Sequence, residues 1–192
     1  ADDLTSELLA AQKENPNLLS CREVQSIIYG LSFAGHEIVS NFISLAVLNL
    51  LQKQQLWLNL VQNRASIPKT LEEILRYDGP QTSWRQISTQ DTIFRGIHIP
   101  KGTRIFLSLG AANHDVQLFD QPSELNPERQ NANRHISFGH GIHFCLGARL
   151  ARLEGQIALE VLTERLPSLR LIRSQPLTFS PNMTFRGPKK LM

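Results

Sequence analysis

Apolar residues recur at three- and four-residue spacing over much of the chain, the mark of helices that bury one face. Residues 2–13 fit a short amphipathic helix with Leu4, Leu8, Leu9 and Ala11 available to a core, ended by Asn15-Pro16-Asn17. Ser20 and Glu23 have the spacing of a capping box. The apolar-periodic run behind them predicts a helix over 21–51, long for a globular domain. Residues 53–64 form the next, with Leu56, Trp57, Leu60 and Val61 on its apolar face. Pro68 opens another, at a first-turn position that has no use for its missing N–H. After Gly79-Pro80 the character changes to strands: 82–87, 92–94, 97–99 and 103–109, separated by turns at Arg95-Gly96 and Pro100-Lys-Gly102. Asn113-His-Asp115 and Gln121-Pro122 are irregular loop, and His114 is read as an ordinary loop histidine. A last helix runs over 146–166 with Leu150, Leu153, Ile157 and Val161 at core spacing, and 169–172 and 177–185 suit short strands. The expected class is mainly α with small β-sheets (α+β).

Composition narrows the setting more than the function. A chain of 192 residues suits one domain, 1–192, and can bury a proper core. A net charge of +3, from 20 basic and 17 acidic residues, is too mild to argue for nucleic acid. Cys21 and Cys145 lie far apart, which argues against a disulfide framework and for a reducing, cytoplasmic setting. The start, Ala-Asp-Asp-Leu, is not a secretory signal. The longest apolar run, 42–51, is interrupted by Ser44 and Asn49 and is too short to span a bilayer, so no membrane role is expected.

Candidate chemistry sits in four places. Phe138-Gly-His-Gly-Ile-His-Phe-Cys-Leu-Gly147 is a glycine-rich loop that presents one cysteine and turns directly into the last helix. A thiolate binds iron strongly, a helix N-terminus favours the deprotonated sulfur, and Gly139, Gly141 and Gly147 allow tight turns and close approach to a flat cofactor. A buried structural cysteine after a glycine turn is the plain alternative. In the long helix, Gly35 interrupts good helix formers at a cost of about 1 kcal/mol; a flat ligand or close helix packing would each explain it. Glu73 and Arg76 stand at i and i+3, within salt-bridge reach. Arg149 and Arg152, near the cysteine end of the last helix, are either snorkelling side chains or a basic docking face.

Six fixed positions in the ten of the cysteine loop resemble the haem-binding loop of the cytochrome P450 family, soluble bacterial type. The resemblance implies that Cys145 is the axial ligand of haem b, that His143 pairs with a haem propionate, and that Phe138 packs beside the ligand loop. Ala34, Gly35 and Glu37 match the family's oxygen-binding groove, while Ile38 stands where its threonine belongs and offers no hydroxyl. Glu73 and Arg76 resemble the Glu-x-x-Arg motif, with Arg129 of Asn126-Pro-Glu-Arg129 as the third member of a buried brace. Arg85 falls where the family binds a propionate, and residues 81–84 where it faces substrate. The tail 181–187 is similar to the family's C-terminal segment.

These motifs occur in the family's order, but they cover only the C-terminal half of its domain. What the resemblance implies is a haem-thiolate monooxygenase, or its C-terminal portion, that takes electrons from a ferredoxin-type donor and oxidises a small organic substrate. Ile38 and the absent half favour an alternative: a haem-binding accessory or peroxide-driven protein. Apolar surface is expected to be exposed, to be covered by a second chain, by self-association, or by residues of the same protein outside this sequence.

Overall fold

The computed structural model describes residues 2–192 apart from Arg173 and Gln175. The backbone forms two compact units, residues 1–37 and 38–192. The first holds α1 (Leu4–Glu14) and the start of α2 (Cys21–Gln52). Asp3 caps α1, its carboxylate accepting from the Ser6 N–H at 2.8 Å. The expected capping box opens α2: Ser20 N–H donates to Glu23 at 2.8 Å, and Glu23 N–H donates back to Ser20 Oγ at 3.2 Å. The predicted core face of α1 is not a core face, since none of its residues is buried and Leu4 is 53% exposed.

The second unit is built on the rest of α2, which packs with α3 (Gln54–Gln62), α4 (Ile67–Asp78) and α6 (Ala148–Arg165) around one apolar core. Phe42, Leu50, Trp57, Ile67, Leu71, Ile74 and Leu159 are buried there. In length and composition α2 could cross a membrane. The run 42–51 alone suggested otherwise because the helix extends far beyond it, and Leu45–Leu51 of that run belong to the core. Between α4 and α6 lie two small antiparallel sheets, β1 (Ser83–Ile87) with β4 (Arg104–Ser108), and β2 (Thr92–Phe94) with β3 (Ile97–Ile99), followed by the short α5 (Leu109–Ala112) after β4. The class is therefore as expected, mainly helical with small sheets.

Two expectations fail in this unit. On α6 the apolar row Leu150, Leu153, Ile157 and Val161 is exposed, and Ala148, Gly155, Leu159 and Thr163 are buried instead. A Cβ on Gly155 would lie 2.6 Å from the Phe42 ring, so close helix contact selects the small residues for the buried side. The tail strands reduce to single bridges, Gln81 with Phe185 and Phe179 with Pro188. The tail is held by side chains as well: Trp57 Nε1 and Gln54 donate to the Pro167 and Leu169 carbonyls, and Arg186 pairs with Asp78 at 2.6 Å.

Candidate haem-thiolate site

The loop ahead of α6 is shaped by its glycines. Gly139 and Gly141 both adopt φ of 75°, a conformation that side chains with a Cβ resist. A short 3₁₀ turn over Gly141–His143 follows, closed by Phe144 N–H donating to the Gly141 carbonyl at 3.0 Å. Cys145 N–H donates to the Phe138 carbonyl at 2.9 Å, which folds the loop back on its own stem. Cys145 is thereby presented as an exposed free thiol three residues ahead of Ala148, where α6 begins. Phe138 is half-buried against the core, while His143, Phe144 and Gly147 are exposed.

The surroundings fit a large flat group bound through sulfur. The place where a Cβ would stand on Gly141 or Gly147 is open, with nothing within 4 Å. Exposed Ile142, Phe144 and Leu146 flank the thiol with apolar surface. Among the described residues no group of three or more His, Cys, Asp or Glu side chains could hold a metal ion, and an iron bound at this loop would rest on the single exposed Cys145 sulfur. A soft thiolate suits haem iron.

Behind the loop, α4 carries two carboxylates with separate partners. Glu73, fully buried, takes Arg76 Nε at 2.7 Å and Nη2 at 2.8 Å, and Arg129 Nε at 3.1 Å. Arg76 then donates to the carbonyls of Asn113, Pro122 and Glu124, and Arg129 to those of Asp120 and Gln121. The expected brace is thus present, with Arg129 as its third member, and it ties α4 to the long loop before the cysteine. Every charge in it is desolvated and also paired, the condition under which buried ions are tolerated.

The second carboxylate was not singled out in the sequence. Glu72 accepts from Arg152 Nε at 2.5 Å and Nη2 at 3.0 Å, and from His135 Nε2 at 3.2 Å. His135 Nδ1 accepts the Ser137 N–H at 3.1 Å, which places the ring proton on Nε2, toward Glu72. Burial alone would raise the Glu72 carboxyl, but the hydrogen bonds from His135 and Arg152 outweigh it and hold the group down to about 2. The Glu72 hydrogen bond raises Arg152 above its ordinary value against the opposing effect of desolvation, with a smaller contribution from Cys145. Arg152 is accordingly an ion-paired brace and no part of a free basic docking face; its guanidinium also lies 4.5 Å from the centre of the Phe138 ring. The one sequence signal was the doubled glutamate, of which the Glu-x-x-Arg spacing uses only the second.

The remaining candidates lie elsewhere. Arg85 is exposed on β1, opposite Phe106 of β4. Ala34, Gly35 and Glu37 belong to the first unit, all exposed on α2, and nothing lies within 4 Å of a Cβ built on Gly35, so close packing does not explain that glycine. Ile38 is the first residue of the second unit and is half-buried. Cys21 is an exposed free thiol in the first turn of α2. His114 serves its loop, Nδ1 bonding the Gly110 carbonyl at 2.9 Å.

Residues 1–185 match the family described as Cytochrome P450. Cytochrome P450 CYP107DY1 of Priestia megaterium is 43% identical over 191 residues, covering 99% of this chain and 46% of that protein. Mycinamicin IV hydroxylase/epoxidase of Micromonospora griseorubida is 38% identical, covering 99% of this chain and 48% of that protein. Among solved structures, cytochrome P450 CREJ in complex with (4-ethylphenyl) dihydrogen phosphate superposes with a TM-score of 0.95 at 38% identity, over 100% of this chain and 47% of the other. The chain spans about half the length of the relatives it matches.

Proposed function

The chain belongs to the cytochrome P450 family, and from that premise we propose that it supplies the thiolate half of a haem-dependent monooxygenase acting on a small organic substrate. The observation that carries this reading is the exposed Cys145 thiol, delivered ahead of α6 by a loop whose glycines take positive φ. Haem b held by that sulfur would activate dioxygen for insertion of one atom into substrate, with electrons from a ferredoxin-type donor. In this reading Cys145 is the ligand, and Gly139, Gly141 and Gly147 leave room for the macrocycle. His143 and Arg85 bind its propionates, and Phe138 packs behind the ligand loop. Ala34 and Gly35 keep a groove open on α2, and the Glu37 carboxylate passes protons toward it. A relative named as a hydroxylase/epoxidase supports the type of reaction.

Ile38 favours a second reading, haem binding without efficient oxygen insertion or with peroxide as the oxidant, because an alkyl side chain can neither donate nor accept a proton where a hydroxyl is wanted. The optical spectrum of the purified chain, with and without added haem, tests the first step of both. The reduced, carbon monoxide-treated protein is expected to show the red-shifted Soret band of a thiolate ligand, and Cys145→Ala to abolish it. A chain that stays colourless, or a Cys145→Ala variant with the same band, defeats the proposal. Electron supply to the loaded protein separates the two readings: product for the first, peroxide alone for the second.

A further inference from the structure

We propose that Glu72 is a positioning residue for the cysteine loop, joining its entry at His135 to its exit at Arg152 through one carboxylate. The inference rests on the haem-thiolate reading for what the loop is for, but its geometry stands apart from it. Residues 140–147 are all exposed, so burial cannot fix the loop's shape. Its own backbone bonds are few: Cys145 N–H to Phe138, Phe144 N–H to Gly141 and Gly139 N–H to Ile136, with the Ala148 and Ala151 N–H groups of α6 returning to the Cys145 and Gly147 carbonyls. Rigidity must come from the stem.

On the entry side the stem has several anchors. Ser137 Oγ donates to the Leu75 carbonyl at 2.6 Å and accepts from Asn113 Nδ2 at 2.8 Å, while Ile136 N–H donates to Asn113 Oδ1 at 2.8 Å. His135, fixed in one tautomer by Ser137, adds its Nε2–H bond to Glu72. On the exit side the first turns of α6 are tied to α4 through Arg152, which gives Glu72 two charge-assisted bonds. Phe138, whose carbonyl receives the Cys145 N–H, sits between the two sides, with the Arg152 guanidinium over its ring and the His135 ring centroid 5.8 Å away. Removing Glu72 leaves the Ser137 and Asn113 anchors and the Glu73 brace intact. The loss should therefore loosen the loop without dissolving α4 or α6. It also frees Arg152, so that its planar cation no longer holds one face of Phe138.

Amide hydrogen exchange of the haem-free chain, followed residue by residue, tests this directly. In Glu72→Gln, which keeps size and loses charge, the Cys145 and Gly139 amides are expected to exchange about tenfold faster, while Leu75 and Leu159 stay within about twofold of the original. Arg152→Lys, which keeps charge but loses the two-pronged geometry, should fall between. A uniform rise across loop and core would make Glu72 an ordinary stability brace and overturn the proposal, as would an unchanged loop. Should Glu72→Ala fail to fold, the Gln variant decides alone. After haem is added, the Gln variant should show a smaller share of the red-shifted Soret band than the parent chain. If the parent takes up no haem, the functional reading fails, while the exchange result still judges the positioning role.

Discussion

Two neighbouring glutamates divide the work of α4. Glu73 faces the long loop through Arg76 and Arg129, and Glu72 faces the cysteine stem through His135 and Arg152. Glu72 carries a pH signature that Glu72→Gln can expose. Its carboxyl is held at about 2 in the folded chain, against an ordinary 4.5. A depressed carboxylate contributes stability that is complete above its unfolded value and disappears as pH falls through its folded one. The difference in loop-amide protection between the parent chain and Glu72→Gln should therefore be constant above about pH 4.5 and close as pH falls toward 2. Amide exchange of Cys145 and Gly139 at pH 6, 4 and 3 measures it, and a gap that stays constant through pH 3 would mean that the ion pairs are not holding the group ionised. At this scale the i, i+3 spacing shows that Glu73 and Arg76 can meet, while their burial and the part of Arg129 follow only from the family resemblance. Glu72 was hidden because its partners lie 63 and 80 residues away, at distances that no local pattern encodes.

At the scale of elements, α6 shows both what periodicity reveals and what it leaves out. The three-and-four spacing located the helix to within two residues at its start, and it marked an apolar side. It could not say what covers that side. The buried face is made of Ala148, Gly155, Leu159 and Thr163, a set with too little hydrophobic signal to stand out. Gly155 fits because the Phe42 ring occupies the space of a side chain. Gly155→Ala gains about 1 kcal/mol of helix propensity but must displace a fully packed aromatic ring, a strain of about 1–3 kcal/mol. A net loss on the order of 1 kcal/mol is expected in denaturant unfolding. A stabilised variant would show that the ring yields freely. The tail illustrates the opposite limit. Short segments that pair through single bridges have no register of their own, and their β-like composition was read as strands that the backbone does not form.

At the largest scale, the described residues leave an apolar surface exposed. Leu150, Leu153, Ile157 and Val161 form an exposed row along α6, and Ile142, Phe144 and Leu146 extend apolar exposure into the cysteine loop. Isolated apolar residues on a surface are ordinary, but a continuous row on one helix face is a driving force for association. Each side chain hidden would contribute about 1 kcal/mol or more, by area alone. The chain on its own is therefore expected to sediment as associated species at micromolar concentration, with α6 in the contact. Leu153→Lys combined with Ile157→Lys should shift it toward the monomer. Both positions are about half exposed, so the same pair should change unfolding stability by no more than about 0.5 kcal/mol per site. The two measurements have to be read together. Monomer gained at constant stability identifies the row as the sticky surface. Monomer gained with a large loss of stability would mean that these leucine and isoleucine side chains are core after all. An original chain that is already monomeric at high concentration removes the premise.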